Sequence, residues 1–160
     1  MKYHRLTHEQ FEALHQEFAV FLAAQGLDQP KWKEVKKNQS KKVELLLDLF
    51  SEIVWDKIIS GCEFLEFSTP DQLFLFEILE KTASVIILKV EKLEIDLESS
   101  SGFQWVLDHI DFDQVTIYHG SRTYTSGRND FVYDYLKKGA VQSEGKRFKA
   151  LETYFSNSSK

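Results

Sequence analysis

The sequence predicts an α+β fold, in which a small, mostly antiparallel sheet centred on residues 73–90 has several helices packed on it. Residues 73–90, LFLFEILEKTASVIILKV, form the most apolar stretch of the chain and contain two runs with strand-like alternation. Segments with apolar residues at helical spacing lie on both sides of it. Only two prolines and seven glycines occur in 160 residues, which argues against a disordered or low-complexity chain.

The two apolar runs predict a hairpin at the centre of the sheet. In the first run Leu alternates with Phe, so both strand faces need cover, and the second run is rich in β-branched residues. The polar residues 80–83 would form the connection. Periodicity leaves one alternative open, a helix over residues 70–79 with Thr69 as N-cap and Gln72 closing a capping box.

Three helices are predicted before the sheet. The first begins after Thr7, whose capping-box partner is Gln10, and Gly26 ends it. The second begins at Asp28, with Pro30 in its first turn. The third covers residues 43–59, with a wide apolar face opposite acids that recur every four residues.

Strand and helix patterns continue along the rest of the chain. They predict a strand over 62–67, a helix over about 103–110, a strand over 115–119, a helix that Asp130 caps, and a pairing of 140–142 with 147–148. Residues 120–129 are polar and contain glycines, which predicts a loop of about ten residues. We expect one domain over residues 1–155 and a frayed tail over 156–160.

Several short stretches resemble an uncharacterised family of small bacterial proteins of unknown function. The resemblance would cover nearly the whole chain and rests on residues typical of a core. It implies a bacterial, single-domain, cytosolic protein, and it supplies no activity, cofactor or site. The stretches are Met1–Thr7, Glu17-Phe18, Phe21-Leu22, Phe50-Ser51, Val54-Trp55, Gln104-Trp105 and Gly139-Ala140.

The best candidate for a ligand site follows the predicted strand over 115–119. Polar loops on a rigid scaffold commonly carry function, and guanidinium groups match carboxylate or phosphate geometry. The candidate ligand-binding residues are His119, Ser121, Arg122, Tyr124 and Arg128. The structural alternative is a solvated connection whose arginines pair with surface carboxylates.

A lysine-rich segment offers a second candidate, a nucleic-acid surface with phosphate contacts and one stacking ring. Its residues are Lys31, Trp32, Lys33, Lys36, Lys37, Lys41 and Lys42. The structural alternative is a solvated basic face, and a net charge of −5 argues weakly against nucleic acid as a partner.

No pattern predicts catalysis, a metal or a cofactor. Glu12 and His15 have the spacing of a di-iron helix, but a second copy of that motif is missing. The single cysteine, Cys62, has no cationic sequence neighbour and is expected to be an inert core thiol.

These observations favour a non-enzymatic cytoplasmic interaction or adaptor domain, with a homodimer or another protein as its partner. The many aromatic residues motivate this hypothesis, because exposed aromatic patches commonly mark interfaces. The alternatives are a small-molecule or anion-binding domain, with or without enzymatic activity, that uses residues 119–128, and a nucleic-acid-binding domain that uses residues 31–42. No membrane-spanning stretch and no export segment are expected.

Overall fold

The computed structural model describes residues 2–158, and the side chains of residues 2–155. The described chain contains seven helices and a five-stranded sheet, which confirms the α+β fold class. It divides after Ser60 into two compact units. The expectation of one domain over 1–155 stays a prediction. Among the described residues, no helix combines the length and apolar character needed to cross a membrane.

The N-terminal unit consists of four helices. They are α1 (His8–Ala13), α2 (His15–Ala24), α3 (Gln29–Asn38) and α4 (Ser40–Ser60). Thr7 caps α1 through the predicted capping box with Gln10, and Asp28 caps α3 by accepting a hydrogen bond from the Lys31 N–H. The prediction of a single helix between Thr7 and Gly26 is wrong. Leu14 leaves helical geometry (φ −105°, ψ 24°) and separates α1 from α2.

The opening residues lie along α4 and are tied to it by backbone and side-chain contacts. The Leu6 N–H donates to the buried Ser51 Oγ (3.0 Å), and the Trp55 Nε1–H donates to the His4 carbonyl oxygen (2.9 Å). Arg5 contacts Asp48 at 2.6 Å, and this contact holds the pKa of the Asp48 carboxyl below its ordinary value. Two stretches that carry the family resemblance, the opening residues and α4, thus contact each other.

The C-terminal unit contains the sheet. Its strands are β1 (Phe64–Ser68), β2 (Gln72–Ile78), β3 (Thr82–Val90), β4 (Val115–Thr123) and β5 (Val141–Gln142), in the order β4-β3-β2-β1-β5 with every pair antiparallel. The central hairpin is confirmed, so the helical alternative over 70–79 is wrong. Its connection is shorter than predicted, because Ala83 already pairs with Ile78.

Helices cover both faces of this sheet. On one face, Leu73, Leu75, Ile86 and Leu88 pack with α5 (Ser100–Asp108) and α7 (Lys146–Ser158). On the other face the Phe76 ring contacts rings of α6 (Arg128–Lys137). This explains why the central strands have apolar side chains on both faces.

The end of the chain differs from the prediction. Val141 pairs with Glu66 of β1, so the predicted pairing of 140–142 with 147–148 is wrong. Residues 147–148 belong to α7, because Phe148 and Leu151 are three apart and both enter the core, which suits a helix. The α7 backbone continues to Ser158, and the last two residues of the predicted tail lie outside the described residues.

Candidate functional site

The five residues predicted to bind a ligand do not share one loop. Strand β4 continues to Thr123 and α6 begins at Arg128, so the predicted loop over 120–129 shrinks to residues 124–127. This part of β4 is polar because it belongs to an edge strand of the sheet, where one edge faces solvent.

Three of these residues lie on β4 and point to different faces. The register places His119 opposite Ile86 and Ser121 opposite Ser84. Both residues therefore lie on the same sheet face as the core residues that pack against α5 and α7. The His119 ring stacks on Phe155 of α7, with centroids 4.8 Å apart. Arg122 lies opposite Ala83, on the other face. Ligand binding by these three residues stays a prediction.

The other two residues have structural contacts. The Tyr124 hydroxyl lies 2.8 Å from the carbonyl oxygens of Leu79 and Thr82 and donates to the end of the β2–β3 hairpin. Burial raises the pKa of Tyr124. Arg128 donates from Nη2 to the Cys62 carbonyl oxygen at 2.6 Å. Tyr124 therefore stabilises the end of the β2–β3 hairpin, and Arg128 stabilises the backbone just before β1.

Cys62 itself is fully buried, and burial raises the pKa of its thiol. A thiol with a raised pKa is protonated at neutral pH and is a poor nucleophile. We expect Cys62 in the folded protein to react with a disulfide reagent at about pH 8 at least about 1,000-fold more slowly than in denaturant. The measurement is the release of thionitrobenzoate with time. Rapid labelling of the folded protein would show that the thiol is accessible.

The lysine-rich segment lies on α3 and the first turn of α4, and all six of its lysines are exposed. Only one acid, Glu34, lies among them. Trp32 is half-buried: the Phe18 ring meets it edge-on at 5.6 Å, and Lys36 Nζ lies 5.8 Å from its centroid. The tryptophan is therefore part of the packing of this unit, and nucleic-acid binding by this segment stays a prediction.

The N-terminal unit carries a groove that the sequence did not predict. Two apolar pockets of about 530 Å³ and 400 Å³ adjoin and share Phe18 and Trp32; we call them together the aromatic groove. The larger pocket is lined by His15, Phe18, Ala19, Leu22, Ala23, Leu27, Asp28, Gln29 and Trp32. The smaller is lined by Arg5, Leu6, His8, Phe11, Phe18, Trp32, Lys36 and Leu47.

The groove exists because small and large side chains alternate at its walls. Ala19 and Ala23, one helical turn apart on α2, leave space in front of the rings of Phe18 and Trp32. Below them Leu22, Leu27, Val35 and Leu46 form the buried cluster that fixes α2, α3 and α4 together. The sequence signal for this space is a pair of alanines one helical turn apart, Ala19 and Ala23, beside Phe18 on the same helix.

Charged groups border the groove unequally. Arg5 is neutralised by Glu44 (2.5 Å) and Asp48 (2.6 Å), and His8 contacts Glu12 at 3.0 Å. Asp28 accepts the capping hydrogen bond from α3. Lys36 lies at the rim, next to the remaining lysines of α3. The groove thus has an apolar floor and a basic border along α3, with the Asp28 carboxylate in the lining of the larger pocket.

Residues 2–158 contain no group of three or more His, Cys, Asp and Glu side chains placed to hold a metal ion. A family model described as a family of unknown function (DUF6495) matches residues 1–156 of the chain. No curated protein matches, and no solved structure matches.

Proposed function

The chain belongs to this family of unknown function, and we propose that it is a non-enzymatic interaction domain whose aromatic groove binds an acidic amphipathic helix of a partner protein. The observation that carries the proposal is the groove itself: two adjoining apolar pockets beside a helix with four exposed lysines. Grooves of this kind receive the apolar face of a helix through side chains one or two turns apart.

The division of the groove favours a helix over a compact small molecule. Phe18 and Trp32 line both pockets, so two anchoring side chains of one ligand would lie on either side of them. Aromatic rings of this type commonly provide most of the binding energy of an interface. The lysines of α3 would then attract acids on the exposed face of the bound helix and increase the association rate.

We expect a fluorescently labelled peptide of about 18 residues, or five helical turns, to bind when its apolar face carries Leu and its polar face carries Glu. The same peptide with Lys in place of Glu should bind at least about tenfold more weakly. A scrambled peptide with the same composition should show no binding. Fluorescence anisotropy measures all three, and raising the salt concentration should weaken the acidic complex.

Two neighbouring alanines of α2 provide a matched pair of variants. Both alanines are exposed, but Ala23 lines the larger pocket and Ala24 lines neither pocket. Ala23→Glu should fill the pocket with a charged side chain and reduce affinity at least about tenfold, whereas Ala24→Glu should leave it nearly unchanged. Equal binding by both variants, or equal binding of the acidic and scrambled peptides, would contradict the proposal.

We also propose that the protein is located in the bacterial cytoplasm. The family resemblance implies this origin and location. A single cysteine that is buried and unpaired fits a reducing compartment. Immunodetection of the protein in fractionated cells of its source organism tests the location.

A further inference from the structure

Helix α4 carries an apolar stripe that faces solvent. Leu45, Leu49 and Ile53 are 58%, 41% and 54% exposed and follow one another at steps of four residues. Leu46 and Phe50, the residues that directly follow Leu45 and Leu49, are buried. The wide apolar face predicted for this helix is therefore divided into a buried part and an exposed part. The exposed part lies outside both pockets of the aromatic groove.

Opposite charges lie in line with the two ends of this stripe. Lys42 precedes Leu45 by three residues, and Asp56 follows Ile53 by three. Steps of three and four keep residues on one face of a helix, so all five form a single row. Both charged residues are exposed, and their side chains form no ion pair within residues 2–158.

The row is symmetric about its centre. Counted from Leu49, the apolar residues lie four positions away on each side and the charged residues seven positions away. A two-fold axis through Leu49 therefore places Leu45 opposite Ile53 of a second copy, and Lys42 opposite Asp56. A parallel pairing would instead bring like charges together at both ends.

We propose that two copies of the chain associate through α4, with the helices antiparallel and the two-fold axis at Leu49. The interface is isologous, as in most dimers of identical chains. Its centre is the row of three apolar side chains, and two equivalent contacts between Lys42 and Asp56 set its direction. Charge complementarity identifies the second copy as the occupant of this face.

The expected dimer is weak. One helical face buries less than the roughly 800 Å² per partner that is usual in stable complexes, so we expect dissociation constants in the micromolar range. Sedimentation velocity over about 1–200 µM protein should show a monomer that converts to a dimer as concentration increases. A protein that stays monomeric over this range would overturn the proposal.

Charge reversal tests the direction of pairing. Lys42→Asp places acids at both ends of the row, and Asp56→Lys places lysines at both ends. Each variant alone should dimerise at least about tenfold more weakly, because both end contacts become repulsive. An equimolar mixture should associate again, since each end then pairs opposite charges. The double variant, K42D/D56K, should also recover dimerisation.

Lys41→Asp is the matched control, because it makes the same charge change at a position about 80° round the helix from Leu49, whereas Lys42 lies about 20° from it. It should leave the dimer nearly unchanged, and circular dichroism verifies that every variant is folded. If Lys42→Asp has no more effect than Lys41→Asp, or if the mixture of single variants fails to associate, α4 is not the interface. Because the row and the groove do not share residues, this result and the peptide result are independent.

Discussion

Replacing Phe76 with alanine is expected to lower the free energy of unfolding of the C-terminal unit by about 3–5 kcal/mol. The Phe76 ring is 1% exposed, lies on central strand β2, and contacts the rings of Phe131 and Tyr135 of α6. Its removal leaves a cavity between sheet and helix that rigid neighbours fill only partly. Hydrogen exchange of the β2 and β3 amides measures the change within this unit.

Phe74→Ala is the control for that substitution. It removes the same side chain from the same strand and face, but Phe74 is only half-buried and its ring contacts Phe67 at 6.0 Å. We expect a loss of about 1 kcal/mol. Equal losses at the two positions would show that α6 does not pack on Phe76 as the structure has it.

Replacing Gly102 with alanine is expected to destabilise the C-terminal unit by about 2–3 kcal/mol, although alanine is the better helix former by about 1 kcal/mol. Gly102 lies in the first turn of α5, and a Cβ there would be 1.9 Å from the carbonyl oxygen of Asp96. A backbone atom cannot move aside like the end of a long side chain, so the helix or its leading loop must shift. Hydrogen exchange of the α5 and β3 amides measures the loss, and any gain in stability would contradict the expectation.

Gly26→Ala separates this steric effect from backbone strain. Gly26 has a φ of +79°, and beyond its two chain neighbours no described atom was found within 4 Å of its Cβ position. The substitution should cost about 1–2 kcal/mol, from the left-handed backbone alone. The two substitutions would thus destabilise the protein for different reasons. At Gly102 the space for a side chain is occupied, and at Gly26 the backbone conformation disfavours a side chain.

The sequence predicted the centre of the fold well because local pattern and tertiary environment agree there. Both faces of β2 are apolar, and both faces of the strand are covered. The prediction of β4 ended too early for a physical reason: its second half belongs to an edge strand, and its polar residues have the composition of a loop. The α7 segment was mistaken for a strand because two residues, Arg147 and Phe148, are too few to reveal a helical period.

The candidate sites were harder to predict. The lysines of α3 are visible in the sequence, but the space beside them forms only when α2 and α3 pack with Phe18 and Trp32 between two pockets. The predicted residues Tyr124 and Arg128 were chosen for their chemistry, and the backbone carbonyls that they contact are distant in sequence. The symmetric row on α4 is present in the sequence, but its exposure is a tertiary property.

The position of β5 and α7 has a consequence for synthesis of the chain. Among themselves, strands β1 to β4 pair only in sequence order, so this four-stranded meander is able to form while translation continues, before the late strand β5 pairs with β1. Phe148 and Leu151, however, join the core only when most of the C-terminal unit has been made. Until then, Leu73 and Leu75 lack part of their cover. A nascent chain halted near Gly139 is therefore expected to be a substrate for chaperones, whereas one extended past Leu151 is not.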